Sequence, residues 1–148
     1  MTSDPHTRRV ILVANETAGG AVLNRRVRRR LRAGPTEVLV VAPALNSRLR
    51  HWTSDEDRAR AEAEARLRRC LALLQGDGVD ADGVVGDADP LQAIADALHG
   101  FPADELVIAT HPPSSSHWLS RDVVERARFR FGLPVLHVEI AGDFALAA

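Results

Sequence analysis

Residues 109–122, ATHPPSSSHWLSRD, gather side chains able to hold an anion or move a proton. Ser114, Ser115 and Ser116 bring three adjacent hydroxyls, and His111 is suited to contact a ligand base or phosphate. Arg121 would act as a charge-assisted clamp on a phosphate or carboxylate. Ser120 and Arg121 read as the opening of a helix, whose first N–H groups favour negative charge. The same letters also read as plain structure, with Ser120 a helix cap, Leu119 packing on Val124 as a hydrophobic staple, and the serines solvated. The segment has no glycine, and Pro112 and Pro113 remove two backbone donors that a phosphate cradle would use.

Other combinations are weaker. A hydrolase would need an activated nucleophile, but no G-x-S-x-G elbow occurs and no spacing forces His111, His117, Asp122 and a serine into a triad. No catalytic residue is assigned, and the chain reads as a non-enzyme. His51, His111, His117 and Asp87 lack ligand spacing such as H-E-x-x-H, so no metal set is assigned. Gly19-Gly20 either forms an anion-binding nest or permits a tight turn. The run RRVRRRLR, residues 25–32, carries six arginines around Val27 and Leu31, the pattern of a solvated helix face partly paired with acids. Without interleaved aromatic residues it argues against a nucleic-acid surface.

These residues need a scaffold, and hydrophobic periodicity supplies one. RRVILVA (8–14) and TEVLVVA (36–42) are short continuous apolar runs, as expected of strands covered on both faces. GVDADGVVG (78–86) is a weaker strand suited to a sheet edge, and ELVIAT (105–110) and PVLHVEI (134–140) complete five. Between them lie four helical patterns. The first uses Val22, Leu23, Val27 and Leu31 and stops at Gly34-Pro35. The second begins at Thr53-Ser54 and runs to about Leu74, with Glu62/Arg66 and Glu64/Arg68 as i,i+4 pairs. The third starts at Asp89-Pro90 and buries Leu91, Ile94, Ala95 and Leu98. The fourth starts after Ser120, buries Val124, Ala127 and Phe131, and ends at Gly132. Strict β/α alternation implies parallel pairing through right-handed crossovers, hence an α/β three-layer sandwich.

The chain has 148 residues and is 45% hydrophobic, which suits a single domain over residues 1–148. Nineteen basic residues, all arginine, against twenty acidic ones leave a net charge of −1 and no global attraction to nucleic acid or membrane. The lone Cys70 sits among leucines, excludes an internal disulfide and fits a reducing cytoplasm. The start, MTSDPHTRRV, lacks the pattern of an export signal, and no apolar run approaches about 18 residues.

Taken together, the ILVA start, GDADPLQAIADAL, ADELVIATH before a long loop, and GLPVLHV as the last strand resemble a single-domain universal stress protein over nearly the full length. The resemblance implies the strand order 3-2-1-4-5, with ligands beyond the carboxyl ends of the strands where the winding reverses. It implies ATP or another adenine nucleotide as ligand, and a homodimer built through the last strand. The family's aspartate after the first strand corresponds to Glu16, or to Asn15 in the neighbouring register. The crevice would be built from Asn15, Glu16, Gly19, Gly20, Ala42, Pro43, Gly86, Thr110, His111, Ser114, Ser115, Ser116 and Arg121.

This chain departs from the family's G-x2-G-x9-G-[S/T] motif at every glycine. Ala109 and Pro112 take the leading positions, and Ser120-Arg121 or Arg121-Asp122 the closing pair. Pro43, where the family contacts adenine through backbone groups, cannot donate. The loop 111–120, with Trp118 and the prolines as a plug, is therefore also expected to close the pocket of a protein-interaction module with an unknown partner. In the dimer, Val135, Leu136, His137, Val138, Glu139 and Ile140 would form the contact, because an apolar edge strand left open invites pairing. The tail AGDFALAA would cover this edge if no dimer forms.

Overall fold

The computed structural model describes residues 7–14, 25–44, 53–87, 89–110 and 117–139. The elements run β1 (Arg8–Ala14), α1 (Arg25–Leu31), β2 (Thr36–Pro43), α2 (Thr53–Gly76), β3 (Asp80–Gly86), α3 (Pro90–Gly100), β4 (Glu105–Thr110), α4 (His117–Phe131) and β5 (Val135–Glu139). All pairings are parallel, and the strand order is β3-β2-β1-β4-β5. Both the alternation and the 3-2-1-4-5 order match expectation.

Parallel strands at the middle of a sheet must be apolar on both faces, because helices cover both. In β1, Val10 and Leu12 pack toward Val27 and Leu31 of α1 and toward Ala63, Leu67, Cys70 and Leu74 of α2. Ile11 and Val13 face the opposite layer, against Leu91 and Ile94 of α3 and Val124 and Ala127 of α4. β3 holds the edge position its thin apolar content suggested, and Val84 is exposed there. On its other face, a Cβ at Gly83 would lie 2.3 Å from Leu67 Cδ1, so a larger residue there would displace that leucine side chain.

Helix ends follow local chemistry. The Asp89 side chain accepts from the Leu91 N–H at 3.0 Å, and Pro90 opens α3. Gly34 and Gly132 adopt φ of +94° and +64° after α1 and α4, a conformation that a Cβ disfavours. One boundary corrects the sequence reading: α4 begins at His117, so Ser120 lies inside the helix and is not its cap. The side chain of Leu119, expected to staple onto Val124, lies outside the described residues. β3 also starts two residues later than expected, at Asp80.

The amino ends of the strands are tied by charge. Glu105 is buried at the start of β4, where Arg30 grips it through Nε at 3.0 Å and Nη2 at 3.3 Å and Arg8 Nε stands 3.8 Å away. The Arg9 N–H donates to Asp104 at 2.9 Å, and the Asp104 N–H returns a bond to the Arg9 carbonyl at 2.7 Å. Arg28 closes a fork on Asp77, both contacts 2.7 Å, joining α1 to the turn after α2. That hydrogen bond, aided by the charges of Arg28 and Arg32, outweighs desolvation and holds the Asp77 carboxyl below its ordinary value.

Three outcomes follow. Glu105→Ala leaves two guanidinium groups facing a partly desolvated site and is expected to cost about 2–3 kcal/mol in urea unfolding. Because the folded Asp77 value is lowered, its contribution is complete above the ordinary 3.8 and lost as pH falls through the lowered value. The stability gap between wild type and Asp77→Asn should therefore narrow from pH 7 to pH 3, and a gap constant with pH would refute the assignment. Cys70 is fully buried and desolvation pushes its thiol up to about 12, so a thiol reagent should label it only as fast as the chain unfolds.

Candidate functional site

The winding reverses between β1 and β4: α1 and α2 cover one face of the sheet, and α3 and α4 the other. At the carboxyl ends of these two strands Ala14 lies beside Ala109, and Thr110 lies beside Glu139 of β5. Ligands of doubly wound sheets bind beyond such a reversal, where loops from both layers part. α4 opens seven residues beyond Thr110, so residues 111–116 separate it from β4. Of the loop 111–120 expected to close the pocket, residues 117–120 are helical and residues 111–116 lie outside the described residues.

Several expected site residues fall outside the described residues: Asn15, Glu16, Gly19, Gly20, His111, Ser114, Ser115, Ser116 and Ile140. So do the side chains of Thr110, Trp118, Arg121 and Glu139, together with Val22, Leu23, His51 and the tail 141–148. Arg121 stands in the second turn of α4, one turn further into the helix than its sequence role required.

The remaining candidates lie at the tips of β2 and β3. Ala42 is fully buried and its side chain belongs to the core beneath α2. Pro43 closes β2 opposite Gly86, and the next residue, Ala44, donates its N–H to the Gly86 carbonyl at 3.2 Å. Gly86 has a packing role of its own, since a Cβ there would lie 2.7 Å from the Ala93 Cβ on α3. Beyond it, Asp87 accepts from the Asp89 N–H at 2.8 Å and so shapes the turn into α3.

One residue at this end was misread from sequence. Arg66 was read as an i,i+4 partner of Glu62, whereas it is 8% exposed and its Nη2 donates to the Pro43 carbonyl at 2.9 Å. The signal was available: Arg66 falls three residues after Ala63 and four before Cys70, on the buried stripe of α2. It brings a cation to the carboxyl end of the sheet, where an anionic ligand would come.

A groove of 560 Å³ opens at the opposite, amino end, lined by Thr7, Arg32, Thr36, Glu37, Asp77 and Asp80 among others. Its carboxylates Asp77 and Glu37 are already engaged by Arg28 and Arg9. We read it as part of the ion-pair layer. Among the described residues no group of three His, Cys, Asp or Glu is arranged to hold a metal ion, and no helix is long and apolar enough to cross a membrane.

No protein-family model and no curated protein matches the chain. Solved structures do. A universal stress protein from Archaeoglobus fulgidus superposes with a TM-score of 0.64 at 18% identity, covering 90% of this chain and 99% of the other. The structure of the universal stress protein from that organism in complex with dAMP gives 0.59 at 19% identity, covering 90% and 98%. An Arabidopsis thaliana universal stress protein family protein with AMP bound gives 0.54 at 14% identity, covering 93% and 94%. The chain has the fold of the universal stress proteins.

Gly86→Ala separates packing from binding at the tip of β3. The close Ala93 contact predicts a loss of about 1–3 kcal/mol in urea unfolding with no ligand present, and an unchanged midpoint would return Gly86 to the candidate site.

Proposed function

We propose that this protein is a universal-stress-protein-like, non-catalytic binding or regulatory protein of the cytoplasm, a homodimer whose crevice at the β1/β4 reversal takes a small anionic or nucleotide-like ligand. The observation that carries it is the fold, with strand order β3-β2-β1-β4-β5, which superposes on structures that hold AMP and dAMP. Adenine nucleotides are thereby the first ligands to test. The departures of this chain at Ala109, Pro112 and Pro113 make its mode of phosphate contact different from a glycine cradle, with hydroxyls and Arg121 in place of bare N–H groups.

The pairing edge is β5. The other edge strand, β3, carries Asp80 and Asp82, charges that discourage strand addition, while Val135–Val138 of β5 hold three apolar residues and one histidine. Strand addition at β5 would continue the sheet across a two-fold axis. A second reading is a protein-interaction module that binds no nucleotide, favoured by the tip of β2, where Pro43 has no donor and its carbonyl is engaged.

Denaturing the purified protein and assaying the supernatant for released nucleotide, with calorimetric titration of ATP, AMP and cyclic nucleotides, decides between them. Binding should weaken more than about tenfold in Arg121→Ala. No released ligand and no heat would remove the nucleotide reading in favour of the second. For the dimer, sedimentation should show His137→Glu shifted toward monomer with its melting temperature retained, because like charges then face each other across the pairing edge. A wild type monomeric at all concentrations would sink the proposed assembly.

A further inference from the structure

The groove at the amino end of the sheet lies between two successive turns, from α1 into β2 and from α2 into β3, and its 560 Å³ is in the size range of small-molecule sites. Its walls are fixed from within. The Gly34 N–H donates to the Arg32 carbonyl, the Gly78 N–H to the Gln75 carbonyl and the Val79 N–H to the Leu74 carbonyl, each at 3.0 Å, and the Thr36 hydroxyl donates to the Gly34 carbonyl at 3.0 Å. Arg28 cancels Asp77, and Arg9 cancels Glu37 at 3.3 Å. Two lining charges are left over. Arg32 follows the end of α1 and Asp80 opens β3; both are exposed, and neither side chain makes an ion pair or hydrogen bond with a described residue. Asp80 is also the register partner of Glu37 on β2, a like-charge neighbour that disfavours it unless a cation joins the pair.

We propose that this groove is a binding site for a small zwitterion, a free amino acid or short peptide, whose carboxylate meets the Arg32 guanidinium and whose ammonium meets Asp80 beside Glu37. The charge balance selects the class. One cation and one anion remain, so a ligand carrying the opposite pair answers both, whereas a simple anion or a simple cation leaves one of them unmatched. Arginine presents a planar fork that fits a carboxylate, and an ammonium has three donors to divide between adjoining carboxylates. Exposed charges each contribute little, so the affinity is on the order of millimolar. The site stands at the end of the sheet opposite the β1/β4 crevice and is independent of what that crevice binds.

The test titrates three probes at neutral pH into the whole protein and follows the Gly34 and Gly78 amide resonances, which report on the two turns. The probes are L-alanyl-L-alanine, its N-acetyl form without the ammonium, and its carboxamide without the carboxylate. The free dipeptide should shift both resonances saturably and bind about threefold to fivefold tighter than either blocked form, the worth of one exposed ion pair. Because both side chains are exposed, Asp80→Asn and Arg32→Met are expected to fold as the wild type does. Asp80→Asn should bind the free and N-acetyl forms alike while still preferring the free form to the carboxamide, and Arg32→Met should show the reverse. No saturable shift with the free dipeptide overturns the proposal. So does equal binding of all three probes to wild type, or discrimination that survives unchanged in both variants.

Discussion

Everything in this molecule is arranged around the burial of β1 on both faces. Val10, Ile11, Leu12 and Val13 are at most 1% exposed, with β2 on one side and β4 on the other. A strand so placed needs a helical layer above and below it, because residues 10–13 present apolar side chains to both faces. Right-handed crossovers then send α1 and α2 to one face and α3 and α4 to the other. The winding reverses between β1 and β4, and doubly wound sheets take their ligands beyond the carboxyl ends of the strands at such a point. The candidate site is thus a geometric by-product of covering one apolar strand twice.

The two ends of the sheet divide their chemistry. At the amino end Arg8, Arg9, Arg28 and Arg30 meet Glu105, Glu37 and Asp77, and strands, helices and turns are held by charge. This accounts for two arginines of the run in α1. Arg28 and Arg30 point at acids from other elements, which leaves the helix a smaller free positive surface than its sequence suggests. Exposed pairs of this kind contribute little each, but the buried Glu105 makes its cluster the stronger tie. At the carboxyl end, among the described residues, the buried Arg66 is a cation held on the tip of β2.

Legibility differed by residue according to how local the deciding force was. Asp89-Pro90 was readable because an N-cap and a proline at the first helical position act within a few residues, and Gly34 and Gly132 were readable as stops for the same reason. Ser120 misled: a serine before Arg-Asp has the form of a cap, yet the helix runs back to His117, since a serine is tolerated in a first turn once the backbone is placed by packing at Val124 and Ala127. Arg66 misled in the opposite sense. The i,i+4 relation to Glu62 is a surface rule, and it cannot register that the carbonyl of Pro43, more than twenty residues earlier, lies beneath α2.

By itself the sequence determined the element types, their alternation and therefore the parallel α/β class, because hydrophobic period and helix-end chemistry are encoded in near neighbours. The edge character of β3 followed too, from its shortage of apolar side chains. What only the tertiary structure decided is where distant residues meet. The close approach of Gly86 to Ala93, the grip of Arg30 on Glu105, and the turning of Arg66 onto the tip of β2 all join segments far apart in the chain. Such contacts depend on how layers stack on the sheet, and no local pattern of residues contains that distance.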